Sequence, residues 1–458
     1  MTTSPPAATV PPPEVPATLE EPAPRPLGFA DQVALWGNLG VSLLLVVAGT
    51  FVLRPDPTLP PLSLVAAFAA ILTGAILGNL LLGLVAMAGS EIGAPAMVSV
   101  RGLLGRRGST VPTVANIAQN LGWAVIELVV IAGAAAQLLD DAVREVVVVA
   151  GGLVATAMAL RPLGVVRGYL KRVAVWAVIA SSAYLLVQVA RGPLPAWGDG
   201  SWSGFWKATD TVVALPISWL PLAADYSRHS RSHRAAFAGA GLGYGAATLA
   251  FFALGVLATA SGEAGDDVIA SLLAIPAGTV ALLILAIDEL DEVFANVYST
   301  TVSAQNLAPR LDRRVGVVVT GALATALALA IDDYVAYESF LFLLGSVFVP
   351  LFGSYAVDYF AFRRGRWEVG ESAPTRWAMF VPWAAGFVTY QLVNPGFVSW
   401  WAPRWMDVRE AIGFTPPSWA SASILSFAVA AAVTALFGVL SRPAASSRGR
   451  ATPEPSRR

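Results

Sequence analysis

The sequence predicts an all-α integral membrane protein of twelve transmembrane helices, and three observations carry that prediction. Hydrophobic residues make up 56% of the 458 and charged residues 13%, with a mean hydropathy of +0.65, whereas charged residues alone are about a quarter of an ordinary soluble chain. Apolar runs long enough for spans of about 20 residues recur from Leu35 to Leu440 with short loops between them. The loops also alternate in charge. Arg101, Arg106 and Arg107, then Arg161, Arg167, Lys171 and Arg172, then Arg228, Arg231 and Arg234, then Arg310, Arg313 and Arg314, then Arg363, Arg364, Arg366 and Arg376 mark one side. Asp140 and Asp141, then Glu263, Asp266 and Asp267, then Asp332 and Asp333 mark the other. Basic loops stay inside, so both termini are expected in the cytoplasm and the chain in the cytoplasmic (inner) membrane.

In order, the spans fall near 32–53, 62–88, 111–139, 145–160, 172–190, 209–226, 235–260, 275–303, 314–331, 338–360, 377–393 and 419–440. They form one polytopic domain, 27–440. Residues 1–26 are rich in Pro, Ala, Thr and Glu and lack the basic start and apolar core of a signal peptide, and 441–458 are rich in Pro, Ser and Arg. Both read as disordered cytoplasmic tails. There is no cysteine, which excludes disulfides and thiolate metal sites, and His229 and His233 are too few for a His-rich metal centre. Nothing supports nucleic-acid binding, a resident cofactor or an obligate protein partner; the lipid bilayer is the partner that composition demands.

Spans 1 and 6 both read as interrupted. The run Trp36-Gly37-Asn38-Leu39-Gly40-Val41-Ser42 sets two glycines and small polar residues near the start of span 1, and Pro216 and Pro221 bracket Ile217-Ser218-Trp219-Leu220 in span 6. Each proline removes a backbone donor and clashes with the preceding turn. Backbone groups freed in lipid must find protein or water. Discontinuous helices at the first and sixth positions suggest two five-helix repeats of inverted topology, with a binding site at the breaks.

Span 3 carries Asn116, Asn120, Trp123 and Glu127 at intervals of +4, +3 and +4, so they share one helix face with Gln119 at its margin. Singly, each would pass for an interhelical hydrogen bond or an interfacial tryptophan. Together they suit a planar, hydrogen-bonding ligand, because an aromatic ring fixes its plane and amides read its edge. Span 8 continues an apolar run, Ile275 to Ile287, into Asp288, Glu289, Asp291 and Glu292, with Asn296, Ser299 and Ser303 following on one side. An aspartate at the bilayer centre costs about 2.5 kcal/mol or more. These acids therefore carry protons, hold a cation, or meet a basic partner. Glu289 points away from the others and suits a helix contact.

Four segments carry a resemblance: Gly89-Ser90-Glu91-Ile92-Gly93-Ala94-Pro95 through Arg101 with Leu104-Gly105, Gln119-Asn120-Leu121-Gly122-Trp123, Ala224-Asp225-Tyr226-Ser227-Arg228, and Asn296-Val297-Tyr298-Ser299. The chain resembles the nucleobase-cation symporter-1 family, the cytosine, purine, allantoin and hydantoin permeases, over nearly the whole membrane portion. The resemblance implies a twelve-helix, five-plus-five inverted-repeat (leucine-transporter-like) fold and import of a heterocyclic substrate by cation symport. It places substrate against Trp123 and Asn120 of helix 3, with Gln119 and, on helix 8, Asn296 as edge amides. On helix 6 the family's aromatic position falls on Pro216 and its polar neighbour on Ser218. Either Trp219, one turn away, takes over the stacking or the pocket is built differently.

The resemblance also implies a coupling-ion site formed by backbone at Gly37 to Gly40 and by two hydroxyl positions that here read Asp291 and Glu292, with Asp288 at a nearby amide position. Carboxylates there suit a sodium ion at Asp291 and Glu292 or a proton. Two other readings compete. An inverted-repeat symporter for amino acids or amines would use the same carboxylates. An aspartate-rich prenyltransferase would use Asp288-x-x-Asp291 with magnesium, but its second acidic pair, Asp332 and Asp333, falls on the opposite side of the membrane. The chain therefore reads as a transporter and not as an enzyme.

Overall fold

Helices build the molecule, and several are started by a side chain, Ser42, Ser63, Ser232, Asp312 or Ser421, that accepts from an amide of the first turn. The computed structural model describes residues 14–138, 140–262, 268–331, 337–417 and 419–441, and among them no strand forms. The chain runs through α1 (Phe29–Asn38), α2 (Leu43–Leu53), α3 (Leu64–Ile92), two short helices α4 (Ala96–Ser99) and α5 (Arg101–Gly108), then α6 (Thr110–Leu138) and α7 (Arg144–Leu160). It continues through α8 (Pro162–Val165), a π-helical segment, α9 (Val175–Ala190), α10 (Phe205–Ser218), α11 (Leu220–Ser227), α12 (His233–Ser261) and α13 (Val268–Leu273). The remainder is α14 (Gly278–Asp288), α15 (Leu290–Leu307), α16 (Arg313–Ala330), α17 (Tyr337–Val357), α18 (Phe380–Val393), α19 (Ala402–Ala411) and α20 (Ala422–Leu440). Ser63 starts α3 by accepting from the Ala66 amide at 3.2 Å, and Gly93 stops it with φ 73°, a conformation that disfavours a side chain. The loop acids Glu263, Asp266, Asp267, Asp332 and Asp333 lie outside the described residues.

Against the twelve expected spans, eight helices among the described residues are long and apolar enough to cross a membrane singly, and the bent pair α1 and α2 makes nine. The shortfall has a local cause. Span 6 is divided into α10 and α11 at Trp219, span 8 into α14 and α15 at Glu289, and α18 has 14 residues. Span 1 breaks over Leu39 to Ser42 and turns by 68°. The interruption at Glu289 corrects the continuous helix expected for span 8.

Packing divides the spans into two groups. α12 lies against α1, α2 and α3, and α3 against α10 and α11; α6 lies against α15, with α7 and α16 completing a second set. Close approach in the first group depends on small residues: a Cβ added to Gly49 of α2 would sit 2.6 Å from the Gly255 Cα of α12. α17, α18 and α20 pack together beside them.

The expected tail 1–26 needs correction over residues 14–26. This segment is a strap on the basic-loop face. Val15 is buried, the Ala17 carbonyl accepts from the Arg313 amide and Gln305 Nε2, both at 2.8 Å, and Leu27 exchanges backbone bonds with His229 and Arg231. Its polar composition reads as tail, yet its carbonyls satisfy donors around the ends of α11, α15 and α16, which a helix terminus leaves open. Residues 1–13 and 442–458 lie outside the described residues.

Candidate functional site

Three interruptions fall side by side. The break in span 1 leaves the α2 amides open at their N-terminus, and Glu289, the residue between α14 and α15, meets them: its carboxylate accepts from the Leu43 amide at 2.6 Å and from Ser42 Oγ at 3.4 Å. An anion at a helix N-terminus is favoured by both the free donors and the helix dipole. Glu289 thus fastens span 8 to the break in span 1.

Beside this junction lies a small cavity of about 20 Å³, lined by Ser42, Leu45, Trp123, Leu215, Ser218, Trp219, Leu222, Tyr244, Glu292 and Asn296. That is room for about one water, so a larger ligand enters only when these walls part. Trp219, in the gap of span 6, is held edge-on by Trp36 with ring centroids 6.1 Å apart and inclined to Tyr244 at 6.1 Å. Trp36 is itself fixed by an Nε1 bond to Gln32 at 3.0 Å. Ser218 Oγ donates to the Leu215 carbonyl at 2.7 Å, and Asn296 Nδ2 donates to the Glu292 carbonyl at 3.0 Å.

The structure gathers five of the expected site residues on this cavity: Trp123, Ser218, Trp219, Glu292 and Asn296. Gln119 stands behind it, its Nε2 reaching the Ser218 carbonyl at 3.4 Å, and Asn120 is fully buried. Asn116 binds Ser303 Oγ at 2.9 Å and ties span 3 to span 8. Gly37 and Gly40 face α12, and neither they nor Asp288 and Asp291 line the cavity. Asp291 is fully buried next to Glu292, and Glu127 of α6 lies opposite Glu292, near enough for the two carboxyl groups to interact. Among the described residues no ion pair reaches Glu127, Asp288, Glu289, Asp291 or Glu292. Nor is any group of three or more acidic or His side chains among them arranged to hold a metal ion.

Leu45, Leu215, Leu222 and Tyr244 also line the cavity and were not signalled by the sequence; Tyr244 sits in a Gly- and Ala-rich stretch with no polar neighbour to mark it.

A family model for permeases of cytosine/purines, uracil, thiamine and allantoin matches residues 25–376. The chain belongs to this permease family. The permease is also similar in structure to Mhp1, a nucleobase-cation-symport-1 family transporter, in a closed conformation with bromovinylhydantoin bound. The TM-score is 0.66 at 16% identity, over 94% of this chain and 96% of that one. The inward-facing form of Mhp1 gives 0.63 at 16% identity, over 94% of each chain. A Na+-coupled sialic acid symporter in a substrate-bound outward-open state gives 0.52 at 12% identity, over 91% of this chain and 98% of that one. At these identities the likeness establishes a shared fold. No curated protein sequence matches the permease.

Elsewhere the permease uses charge to hold itself together. Arg101 and Arg228, two of the basic loop residues, are buried: Arg101 Nε donates to Asn306 Oδ1 at 2.6 Å and pairs with Glu371 at 2.7 Å, and Arg228 donates to the Tyr298 hydroxyl at 3.0 Å. Slight burial works against the charge of Glu371, but Arg106 and Arg101 hold its carboxyl below the usual range. Asp225, buried nearby, accepts from the Ala96 amide at 2.8 Å.

Proposed function

We propose that this permease imports a nucleobase or related nitrogen heterocycle by cation symport, through alternating access. The observation that carries this reading is the cavity where the interrupted spans 1, 6 and 8 meet, with Trp123 and Trp219 among its walls and Glu292 and Asn296 at its edge. Aromatic faces fix a planar ring and polar edges read it. The grouping of spans 1, 2, 6 and 7 apart from spans 3, 4, 8 and 9 supports a five-plus-five inverted repeat of twelve spans, one set rocking against the other with both termini cytoplasmic.

Coupling is assigned to a proton on Asp291. Its carboxylate is buried, has no ion-pair partner among the described residues and stands one residue from cavity-lining Glu292. A buried charge without a partner is neutralised by an ion, and carboxylates within membranes are characteristic proton carriers. Proton binding at Asp291 then changes the charge beside the substrate, which is the link symport needs.

The test is a binding screen of the purified chain against cytosine, uracil, adenine, hypoxanthine, allantoin and hydantoins, followed by uptake into proteoliposomes. Binding of at least one heterocycle, weakened by Trp123→Ala and by Trp219→Ala, is expected. Binding of none, with amino acids or amines bound instead, would contradict the reading.

A further inference from the structure

The polar groups of the cavity wall are unusual in what they leave to a ligand. Ser42 donates its hydroxyl to Glu289 at 3.4 Å, Ser218 donates to the Leu215 carbonyl at 2.7 Å, and Asn296 spends an amide hydrogen on the Glu292 carbonyl at 3.0 Å. Gln119, behind them, gives its amide to the Ser218 carbonyl. Asn296 and Gln119 each keep a second amide hydrogen, Tyr244 brings a hydroxyl, and Glu292 adds a carboxyl group to the wall. Among the described residues no Lys, Arg or His lines the cavity.

The charge count points the same way. Glu127, Glu289, Asp291 and Glu292 lie within one buried neighbourhood, and among the described residues no basic side chain pairs with any of them. Of these four, Glu292 is the one in the cavity lining, and so the one a ligand's charge can reach. The cavity further sets Trp123, Trp219 and Tyr244 around the space that Glu292 faces. Aromatic faces attract cations through their quadrupole, and rings grouped with a carboxylate make a cation receptor.

We propose that the heterocycle carried is a cation, a planar ring bearing a quaternised or protonated nitrogen, with Glu292 as its counter-charge and the three rings as its cage. This rests on the reading of the chain as a heterocycle permease and narrows the substrate class of that same cavity. It also divides labour between neighbours: Glu292 holds the substrate's charge and Asp291 the coupling ion.

The experiment compares near-isosteric pairs on the purified full chain in nanodiscs: 1-methylnicotinamide against nicotinamide, and N-methylpyridinium against pyridine at a pH where pyridine is neutral. Thiamine, cytosine, uracil and hydantoin complete the panel. The charged member of each pair is expected to bind about tenfold more tightly, as one charge facing a carboxylate and aromatic rings provides. Glu292→Gln should collapse that ratio towards one, while Glu292→Asp keeps much of it; a melting curve reports whether each variant is folded, and if Glu292→Gln is not, the wild-type ratios and Glu292→Asp decide. If cytosine, uracil or hydantoin binds and no charged probe exceeds its neutral partner, the proposal falls and the permease reading stands. If no heterocycle of either kind binds, both fall.

Discussion

Two buried regions of this permease treat charge in opposite ways. On the face bearing the basic loops, Asp358 is clasped by Arg376 at 2.7 Å and by the Trp367 indole at 2.7 Å, Arg101 by Glu371 and Asn306, and Glu91 by Arg364 and Tyr359. Near the middle of the spans, Asp288, Asp291, Glu292 and Glu127 are just as buried and meet no basic side chain among the described residues. Glu289 stands between the two habits, since its carboxylate holds the α2 N-terminus. Paired charges fix one arrangement of helices. Unpaired carboxylates demand an ion from outside, and such a demand is what a transporter's coupling site requires.

The sharpest way to break the contrast is to remove one charge from each region. Asp291→Asn is expected to abolish concentrative uptake, leaving less than about a tenth, while the melting temperature holds or rises because no partner is orphaned. A drop in stability with retained uptake would reverse the assignment. Asp358→Ala should do the opposite: loss of a buried pair costs about 3–5 kcal/mol and leaves the Arg376 guanidinium uncompensated, readable as a lower midpoint in chemical denaturation of the purified chain. Glu289→Ala is intermediate. It removes the cap on α2 and should cost about 1 kcal/mol, with faster hydrogen exchange at Leu43 and Leu44 as its signature.

The smallest effect lies on the strap. His229 Nδ1 donates to the Pro24 carbonyl at 2.8 Å, and Nε2 is left to accept from the Tyr298 hydroxyl at 3.4 Å. Burial, and then the neighbouring Arg228, push this imidazole down from 6.5 to about 3. The unfolded chain therefore binds a proton that the folded one refuses between these values. Its contribution is constant above about pH 6.5, and stability falls as pH drops from there towards 3. His229→Gln should flatten that part of the melting-temperature profile; an unchanged slope would place the titration elsewhere.

How far the sequence is legible follows from where each feature's cause lies. The helices are written locally, in apolar runs with caps such as Ser63 and Gly93. So is the break in span 1, because glycines at 37 and 40 and small polar residues weaken the helix there, and Pro216 and Pro221 bracket the gap that opens at Trp219. The interruption at Glu289 has no Gly or Pro to announce it. Its partner, the Leu43 amide, is 246 residues away in the chain. Tyr244 enters the cavity wall by the packing of α12 on the broken span, which no local pattern records. The strap from 14 to 26 is missed for the converse reason: proline-rich, polar sequence has little propensity of its own, and the bonds that order it come from α15, α16 and His229. The family resemblance points to the pocket's general position through Trp123 and Asn296 and implies a coupling role for Asp291 and Glu292 alike; that Glu292 lines the cavity and Asp291 does not comes only from the packing.

The most direct test of that separation is uptake of a bound heterocycle into proteoliposomes with pH and sodium gradients imposed one at a time. An alkaline interior without sodium should drive accumulation in the wild type and fail to do so in Asp291→Asn, which should still bind the heterocycle. Accumulation driven by a sodium gradient alone, indifferent to pH, would contradict the assignment of the coupling proton to Asp291.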